Sequence, residues 1–560
     1  MEYIFFIVIA VVFVLFVFAQ GILSQRKEQK YYRKKLREGV GAAPGKEYKI
    51  ERFLRIPGYY EKHKEEFQID DITWNDLGMD DIFRRMDYAI SSTGEEYLYY
   101  MLRTPQFQEG KLKHFDEVVE FYSANEKERV EYQCLMRKLG NTGKFSLYDY
   151  LDYLEQFGNR SNAKDYTLLL VFAGLLVVLY FNLSLGIAGM IIWMLYQIFG
   201  YFGVKKDIEP YITSLAYITR LINISRSVEV VLPRVCKEEK KALEAAAKQL
   251  KKSQKGVFWV FSPGSSKTGN PFDVVLDYIR MIFHIDLIYF NKMVGEIMHH
   301  SREVDVLITN MGYLESAICV GLYRASLAEG WCKPEFEPES TLRVQEGYHP
   351  LIIKPVKNSL TAAGGVLLTG SNASGKSTFL KMMALSSLLA QTIYTVTADK
   401  YQAPFYYLYS SMSLRDDLES GESYYIVEIK SIKRILDNRG VRKGKILCFV
   451  DEVLRGTNTV ERIAASTQIL LSMTGKDIQC FAATHDIELT QLLEDVYENY
   501  HFEEEIKDGD ILFNYQLRPG KATTRNAIRL LEIMGYEPEI IQNAQKQAEK
   551  FLQQGVWNRP

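Results

Sequence analysis

The sequence predicts a protein in two parts. A mainly helical part, interrupted by membrane-spanning helices, precedes a C-terminal α/β domain with a mostly parallel sheet. Three observations lead to this prediction. Long uncharged apolar stretches occur at the N-terminus and around residue 185. Apolar residues recur at helical spacing through much of the first 335 residues. Beyond that point, short apolar runs typical of buried strands alternate with helical segments.

The composition is that of an ordinary folded protein with nearly balanced charge. The 560 residues include 68 Lys and Arg and 70 Asp and Glu, which gives a formal net charge of −2. This balance excludes a uniformly basic nucleic-acid-binding protein, so any contact with DNA would have to come from local patches. The six cysteines form no CxxC pair. Reduced thiols are therefore favoured over a disulfide framework or a zinc site.

Residues 1–25 are predicted to be a transmembrane anchor. Residues 3–25 carry no charge, and a bilayer-spanning helix needs about 20 such residues. A cleaved signal peptide is the alternative, but the chain begins Met1-Glu2 without a basic residue, and no convincing cleavage site follows. The basic linker 26–70 starts with seven Lys and Arg residues by position 37. This excess of positive charge places the rest of the chain in the cytoplasm.

A second uncharged stretch, 166–204, is predicted to be a transmembrane helical hairpin. Its 39 residues are too many for one ordinary span, and turn-forming residues at 182–186 lie near its middle. Basic residues on both flanks favour cytoplasmic ends. A hairpin buried in a soluble core is the alternative. On the membrane interpretation, the chain is a multi-pass protein of the plasma or inner membrane, and helical segments 71–165 and 205–335 form an all-α core on either side of the hairpin.

Residues 370–377 match the phosphate-binding pattern GxxxxGK[ST] at every fixed position. The loop follows an apolar strand at 366–369 and opens a helix, which is the context that the pattern requires. Its backbone N–H groups would face the phosphates of ATP, Lys376 would reach the β- and γ-phosphates, and Ser377 would ligate Mg²⁺. The residues predicted to bind the nucleotide are Gly370, Ser371, Asn372, Ala373, Ser374, Gly375, Lys376, Ser377 and Thr378.

Two further strands are predicted to end at the same site. The apolar run 445–450 leads into Asp451 and Glu452. Asp451 is predicted to hold Mg²⁺ and Glu452 to activate the attacking water. His485 follows the next apolar strand and is predicted to contact the γ-phosphate or its water. A lone histidine is more often structural, and that alternative stays open.

Several segments resemble the MutS family of DNA mismatch-repair ATPases. They are residues 417–428 with Ser423, residues 451–459, residues 483–490 and the phosphate-binding loop with Asn372. The resemblance is strong over roughly 340–550 and weaker upstream, at 76–98 and 346–350. It implies an ABC-type, MutS-like P-loop NTPase domain at 336–530 and a C-terminal helical dimerisation segment at 531–560.

The resemblance also implies a mechanism. Two copies would form a homodimer with composite ATP sites, in which Ser423 reaches the γ-phosphate bound by the partner. No counterpart of the family's mismatch-recognition and connector domains is found, so we expect both to be lacking. The resulting hypothesis is a membrane-anchored ATP hydrolase that binds DNA. The alternative is a mechanochemical membrane ATPase that acts on a protein partner without DNA. An ABC exporter is disfavoured because no LSGGQ-type signature is present.

Overall fold

The computed structural model describes residues 16, 20–21, 23–24, 26–48, 50–158, 160–261, 271–338, 341–371, 374–412, 424–441, 444–454, 457–507, 510–522, 528, 531–532 and 534–554. Most of the predicted anchor 1–25 therefore lies outside the described residues. The chain divides into two compact units. The N-terminal unit comprises residues 1–64, 87–100 and 117–326, and the C-terminal unit comprises residues 65–86, 101–116 and 327–560.

Helices dominate the chain before residue 327. Residues 26–38, in the predicted basic linker, are already helical. The helices that follow are α1 (Ile50–Arg55), α2 (Gly58–Lys62), α3 (Asp71–Asp76), α4 (Met79–Met86), α5 (Ser92–Arg103), α6 (Glu109–Ala124), α7 (Glu126–Leu139), α8 (Leu147–Phe157), α9 (Ala163–Phe181), α10 (Leu183–Val228), α11 (Lys237–Gln249), α12 (Val257–Phe261), α13 (Pro271–Phe283), α14 (Ile285–His299) and α15 (Ser301–Ala325), with 3₁₀ turns at Glu229–Val231 and Leu250–Gln254.

Buried ion pairs attach the predicted linker to the N-terminal unit. The carboxylates of Asp87 and Glu95 are fully buried. Lys46 Nζ lies 2.6 Å from Asp87 and 3.2 Å from Glu95, and Arg52 and Arg55 both pair with Glu95. A buried carboxylate is tolerated only when cations and hydrogen bonds compensate for its lost hydration. The segment around residues 46–55 is therefore a folded part of this unit.

Helices α9 and α10 form the predicted hairpin, here defined as α9 and residues 183–204 of α10. The chain reverses at Asn182, whose side chain accepts a hydrogen bond from Leu185 N at 3.1 Å. A Cβ atom on Gly186 would collide with Leu179, so the glycine permits the close helix contact. Beyond residue 204, α10 continues to Val228, and its later residues, including Leu215 and Leu221, are fully buried. One continuous helix thus joins the hairpin to the core of the N-terminal unit.

Three helices are long and apolar enough to cross a membrane. They are α9, α10 with its extension to Val231, and α15, and the most apolar windows of these helices are 0%, 17% and 72% buried, respectively. Helix α15 is thus a core helix of the N-terminal unit. The apolar window of α9 is the least buried of the three, although Phe172 of α9 contacts Trp193 of α10 and Phe283 of α13.

The C-terminal unit is built around two sheets. Its strands are β1 (Glu335–Phe336), β2 (Leu342–Gly347), β3 (Asn358–Ala362), β4 (Gly365–Thr369), β5 (Lys400–Ala403), β6 (Tyr406–Ser411), β7 (Lys445–Asp451), β8 (Ile478–Ala483), β9 (Tyr497–Lys507) and β10 (Asp510–Pro519), and its helices after residue 327 are α16 (Lys376–Ile393), α17 (Tyr424–Asp437), α18 (Thr459–Ser472), α19 (Ile487–Leu492) and α20 (Pro538–Gln554).

The larger sheet sets the position of the candidate site. Its strand order is β10-β9-β4-β8-β7-β6, parallel throughout except for β10, which is antiparallel to β9. Strands β4, β7 and β8 are buried along their whole length. The smaller sheet has the order β1-β5-β2-β3. Because β8 lies between β4 and β7, the residues that follow these three strands meet at one edge of the larger sheet.

Residues 71–86 and 101–116, which the sequence places in the helical core, cluster instead with the C-terminal unit. Helix α3 explains part of this difference. The buried Asp76 carboxylate accepts hydrogen bonds from Ser410 Oγ at 2.7 Å and from Met412 N at 2.9 Å. Asp70, the N-cap residue of α3, pairs with Arg434 of α17 at 2.7 Å. Helix α3 therefore binds the end of β6 and the following helix.

We expect Asp76→Ala to loosen α3 from β6, because two donors lose their acceptor in a buried site. The cost is about 1–3 kcal/mol of unfolding free energy. Trp74 lies on α3 and is 2% exposed, so its fluorescence reports this change during a thermal melt. Asp81→Ala is the matched control, since the ion pair that Asp81 forms with Arg84 is exposed. Equal melting temperatures for Asp76→Ala and the wild type would contradict this role of Asp76.

Candidate functional site

The predicted phosphate-binding loop connects β4 to α16. Gly370 has φ 141° and Gly375 has φ 104°, in the region that favours glycine. A Cβ atom on Gly370 would lie 2.9 Å from Phe502 O, and one on Gly375 would lie 3.1 Å from Tyr515 Cδ1. Both positions therefore require glycine for backbone conformation and for space. Ser371 Oγ is hydrogen-bonded to Glu504 of β9, which holds the start of the loop.

Lys376 is the first residue of α16 and is 5% exposed. Its ammonium group donates hydrogen bonds to the carbonyl oxygens of Gly370 and Ser371, both at 2.8 Å. It also lies 3.5 Å from His485 Nε2. These two carbonyls therefore hold the ammonium group beside the N-terminal end of α16. Its positive charge adds to that of the backbone N–H groups there, which also attract anions.

A hydroxyl and a carboxylate meet beside this charge. Ser377 Oγ donates a hydrogen bond to Asp451, the last residue of β7. Such neutral and anionic oxygen ligands are those that Mg²⁺ prefers. Ser374 Oγ, nearby in the loop, is buried and has no hydrogen-bond partner among the described residues. An oriented phosphate oxygen would satisfy this hydroxyl. The residues present thus fit both a nucleotide phosphate and a divalent cation.

Glu452 and His485 form a contact at the same edge. Glu452 has φ 59°, a left-handed conformation that costs a residue with a side chain about 1–3 kcal/mol. Its backbone N–H donates to Ala483 O at 2.9 Å, and its Oε1 lies 2.8 Å from His485 Nε2. The strained backbone therefore directs the carboxylate across the end of β8 and toward the imidazole ring.

The segments behind this pair are held by further contacts. Leu454 also has a positive φ, of 59°, and its N–H donates to Glu428 of α17 at 2.6 Å. Arg462 of α18 makes two hydrogen bonds to the carboxylate of Asp486, at 2.9 and 2.6 Å. Asp486 follows His485 directly. These contacts fix the residues after β7 and β8 and so limit how far Glu452 and His485 can separate.

The site opens into a cleft of about 650 Å³. Sequence reasoning places Ser374, Gly375, Lys376, Ser377, Thr378, Asp451, Glu452 and His485 there, and all of them line this cleft. Gly370 and Ser371 contact the ammonium group of Lys376. Asn372, Ala373 and Ser423 lie outside the described residues.

The cleft has a further wall that sequence reasoning missed. It is formed by Tyr348, His349, Ile352, Ile353, Val356, Phe502 and Tyr515, among others. Ile353 is 91% exposed. Burial, assisted by the charge of Lys381, lowers the pKa of His349 to about 4, so this ring is neutral at pH 7. The aliphatic run Leu351-Ile352-Ile353 could have indicated this wall from the sequence. Such an apolar run between two strands, when exposed, often marks a binding surface.

Comparison with known proteins places this site in a family. The family model for MutS domain V matches residues 366–552. The DNA mismatch repair protein MutS of two Thermus thermophilus strains is 31% identical to this chain over 235 residues, which cover 41% of the chain and 28% of the relative. MutS protein homolog 4 of Homo sapiens is 30% identical over 302 residues, which cover 50% of the chain and 31% of the relative.

The matches span less than a third of the length of these relatives. The domain V match extends past residue 530 and covers α20 up to residue 552, within the segment 531–560 that the sequence predicts for dimerisation. It contains β7, β8, all but the first residue of β4, each residue of the phosphate-binding loop, and the Glu452–His485 pair. Residues 366–552 of this chain thus match the P-loop ATPase domain of the MutS family.

Proposed function

We propose that this protein is a membrane-tethered, MutS-type ATP hydrolase that works as a homodimer and binds DNA. The observation that supports the hydrolase most strongly is the convergence of three strand ends in one cleft. There Lys376, the Ser377–Asp451 pair and the Glu452–His485 pair lie side by side. Each is a group that phosphoryl transfer from ATP to water requires.

The binding step uses the loop and the ammonium group of Lys376. In this structure Lys376 donates to Gly370 O and Ser371 O, and these bonds hold it over the place where the phosphates would lie. Ser377 and Asp451 would hold Mg²⁺, which neutralises charge on the phosphate oxygens when bound. The apolar side chains Ile352, Ile353 and Val356 offer a surface to the base, and burying them supplies affinity.

The hydrolytic step uses the Glu452–His485 pair. Glu452 Oε1 accepts a proton from the attacking water and orients it for in-line displacement. His485, which lies between Glu452 and Lys376, positions the carboxylate and stabilises charge that develops nearby. The ion pair between Arg462 and Asp486 keeps the histidine in place. The same groups must be aligned before each turnover, so the chemistry depends on closure of the cleft.

The dimer would complete this cleft. The resemblance assigns Ser423 to the partner's γ-phosphate, where a hydroxyl would donate a hydrogen bond to the phosphate. Residues 424–437 form α17 directly after it. Glu428 of α17 accepts the hydrogen bond from Leu454 N, two residues beyond Glu452. A shift of Ser423 would therefore displace α17 and, through the Glu428–Leu454 hydrogen bond, change the position of Glu452 in the same subunit.

Membrane attachment is supported by the hairpin. Helix α9 is 19 residues long, and none of its most apolar window is buried. At about 1.5 Å per residue its length matches the hydrocarbon thickness of about 30 Å. The predicted anchor 1–25 would add a third span, with residues 26–165 and 205–560 in the cytoplasm. Because α10 runs from the hairpin into the buried core of the N-terminal unit, motion of that core would be transmitted to the membrane segment. This continuity favours a second candidate function, a mechanochemical ATPase that acts on a protein partner.

DNA binding by the full-length protein in nanodiscs distinguishes these functions. We expect duplex or branched DNA to bind and to stimulate ATP hydrolysis. If about six phosphates are neutralised, affinity falls about 1,000-fold between about 50 and 200 mM salt. Nucleotide-dependent closure without DNA affinity at low salt would instead favour the protein-partner function. Absence of Mg²⁺-dependent hydrolysis under all conditions would contradict the proposed enzyme.

A further inference from the structure

We infer that Glu428 of α17 is a positioning residue for ATP hydrolysis. Its carboxylate fixes the backbone turn 452–454, which follows β7, and through this turn it directs the side chain of Glu452 toward the attacking water. Glu428 is not among the described residues that line the cleft. The inference rests on the proposed hydrolase function and deepens it, because it assigns a role in the chemical step, but not in nucleotide binding, to a residue outside the cleft.

Glu428 occupies an unusual position on α17. It lies four residues before Ile432 and seven before Ile435, so the three side chains share one face of the helix. All three are buried, and Glu428 is only 2% exposed. A carboxylate on such a face loses its hydration, so it persists only where hydrogen bonds or charges compensate for that loss. The group that Glu428 binds therefore indicates what the residue does.

The carboxylate of Glu428 reaches the turn that carries the hydrolytic residue. Its Oε1 accepts a hydrogen bond from Leu454 N at 2.6 Å, and Leu454 is itself buried. A hydrogen bond from a backbone N–H to a carboxylate is shorter and stronger than one between neutral groups. Glu428 thus links α17 firmly to the chain directly after β7.

The turn 452–454 needs such a link because its backbone is strained. Glu452 and Leu454 each have a φ of 59°, in the left-handed region. Residues with a Cβ atom adopt this region only where the surrounding structure holds them there. In this conformation Glu452 Oε1 lies 2.8 Å from His485 Nε2. Relaxation of the turn would rotate the backbone that carries Glu452 and move its carboxylate away from the hydrolytic position.

Two neutral hydrogen bonds hold the rest of the turn. Glu452 N donates to Ala483 O of β8 at 2.9 Å. Ser466 Oγ of α18 donates to Val453 O at 3.1 Å. These bonds fix the first two residues of the turn, whereas Glu428 fixes the third. Because the three contacts come from three different elements, loss of the Glu428 contact should free the end of the turn and leave β7 paired with β8.

The groups that would bind the nucleotide are held by other contacts. Lys376 donates to the carbonyl oxygens of Gly370 and Ser371. Ser377 donates to Asp451, the last residue of the buried strand β7. Removal of the Glu428 contact should therefore slow hydrolysis and leave ATP affinity largely unchanged. The effect on the rate can be large, because a misplacement of about 1 Å costs a catalytic group about 100-fold.

Three substitutions of Glu428 in the full-length protein in nanodiscs separate the reach of the side chain from its charge. Glu428→Gln keeps an oxygen acceptor at the same distance. Glu428→Asp keeps the charge but shortens the side chain by a methylene group, and Glu428→Ala removes both. Asp437→Ala is the control on the same helix, since the ion pair of Asp437 with Lys433 is exposed. Single-turnover hydrolysis, ATP affinity and melting temperature are measured for each protein.

We expect Glu428→Ala and Glu428→Asp to slow hydrolysis about 10- to 100-fold, with ATP affinity within about threefold of wild type. Glu428→Gln should stay within about fivefold of the wild-type rate, because its side-chain oxygen still accepts from Leu454 N. Asp437→Ala should match the wild type. If Glu428→Ala melts well below the wild type, the comparison of Glu428→Asp with Glu428→Gln decides, since both keep a polar side chain.

A second measurement tests whether Glu428 acts through Glu452. In a Glu452→Gln background, Glu428→Ala should change the residual single-turnover rate by less than about twofold, because the side chain that it positions can no longer accept a proton. A further loss as large as the one in the wild-type background would show that Glu428 acts elsewhere, and would overturn the inference.

The remaining outcomes separate the inference from the proposed function. Wild-type rates in Glu428→Ala and Glu428→Asp would overturn the inference and leave the hydrolase in place. An equal loss of rate in Glu428→Gln, or an ATP affinity that falls in parallel with the rate, would also overturn it, because either result shows a role other than positioning the turn. Absence of Mg²⁺-dependent hydrolysis by the wild type would overturn both proposals.

Discussion

Lys376→Ala is expected to lower ATP turnover by about 100- to 1,000-fold, the loss seen when one electrostatic donor is removed from a transition state. The ammonium group is held by two loop carbonyls and lies 3.5 Å from His485 Nε2, so its removal takes away the fixed charge at the centre of the site. Nucleotide affinity should fall as well, because the same charge faces the phosphates. Phosphate release and nucleotide binding by the full-length protein measure the two effects.

Lys381→Ala is the matched control for this experiment. Lys381 lies on the same helix, α16, but is not part of the cleft lining. We expect turnover within about twofold of wild type, as for a surface substitution. Hydrolysis by Lys376→Ala at the rate of the Lys381→Ala protein would contradict the assigned phosphate site.

Glu452→Gln is expected to separate binding from hydrolysis. Glutamine keeps the size and the hydrogen-bonding ability of the side chain but cannot accept a proton from water. Hydrolysis should therefore fall about 100- to 10,000-fold, the usual range for a lost general base. Lys376 and the Ser377–Asp451 pair remain intact, so bound ATP should be retained. Single-turnover hydrolysis and filter binding of labelled ATP measure the two steps.

Glu461→Gln serves as the control for charge loss in the same region. Glu461 is exposed in the first turn of α18, after the segment that follows β7. Its substitution should leave both binding and turnover close to wild type. If Glu452→Gln instead turned over ATP as quickly as Glu461→Gln, then Glu452 would not be the water-activating group.

The parts of the fold that depend on local sequence could be predicted. The apolar run ending at Thr369 forms β4 at Gly365–Thr369, and the run ending in Asp451 forms β7 at Lys445–Asp451. A buried parallel strand shows as a continuous apolar run. The chain reversal at Asn182 was likewise visible, because asparagine caps helices well. The position of His485 beside Glu452 followed from the rule that ligands bind at the carboxyl ends of such strands.

Contacts between distant residues could not be predicted in this way. Asp76 binds Ser410 across 334 positions, and no periodicity within either segment signals that pairing. The buried Lys46–Glu95 contact folds part of the predicted linker onto the N-terminal unit in the same manner. The sequence also does not predict the left-handed backbone conformation of Glu452, because a glutamate rarely adopts this conformation without tertiary contacts that stabilise it.

The central claim is that ATP closes two copies of the C-terminal unit around composite sites. Sedimentation equilibrium of detergent-solubilised Glu452→Gln protein, at matched solvent density, tests it most directly. With ATP and Mg²⁺ the protein part of the complex should have twice the chain mass of 64.7 kDa. A mass of one chain under all nucleotide conditions, with ATP bound, would contradict the claim.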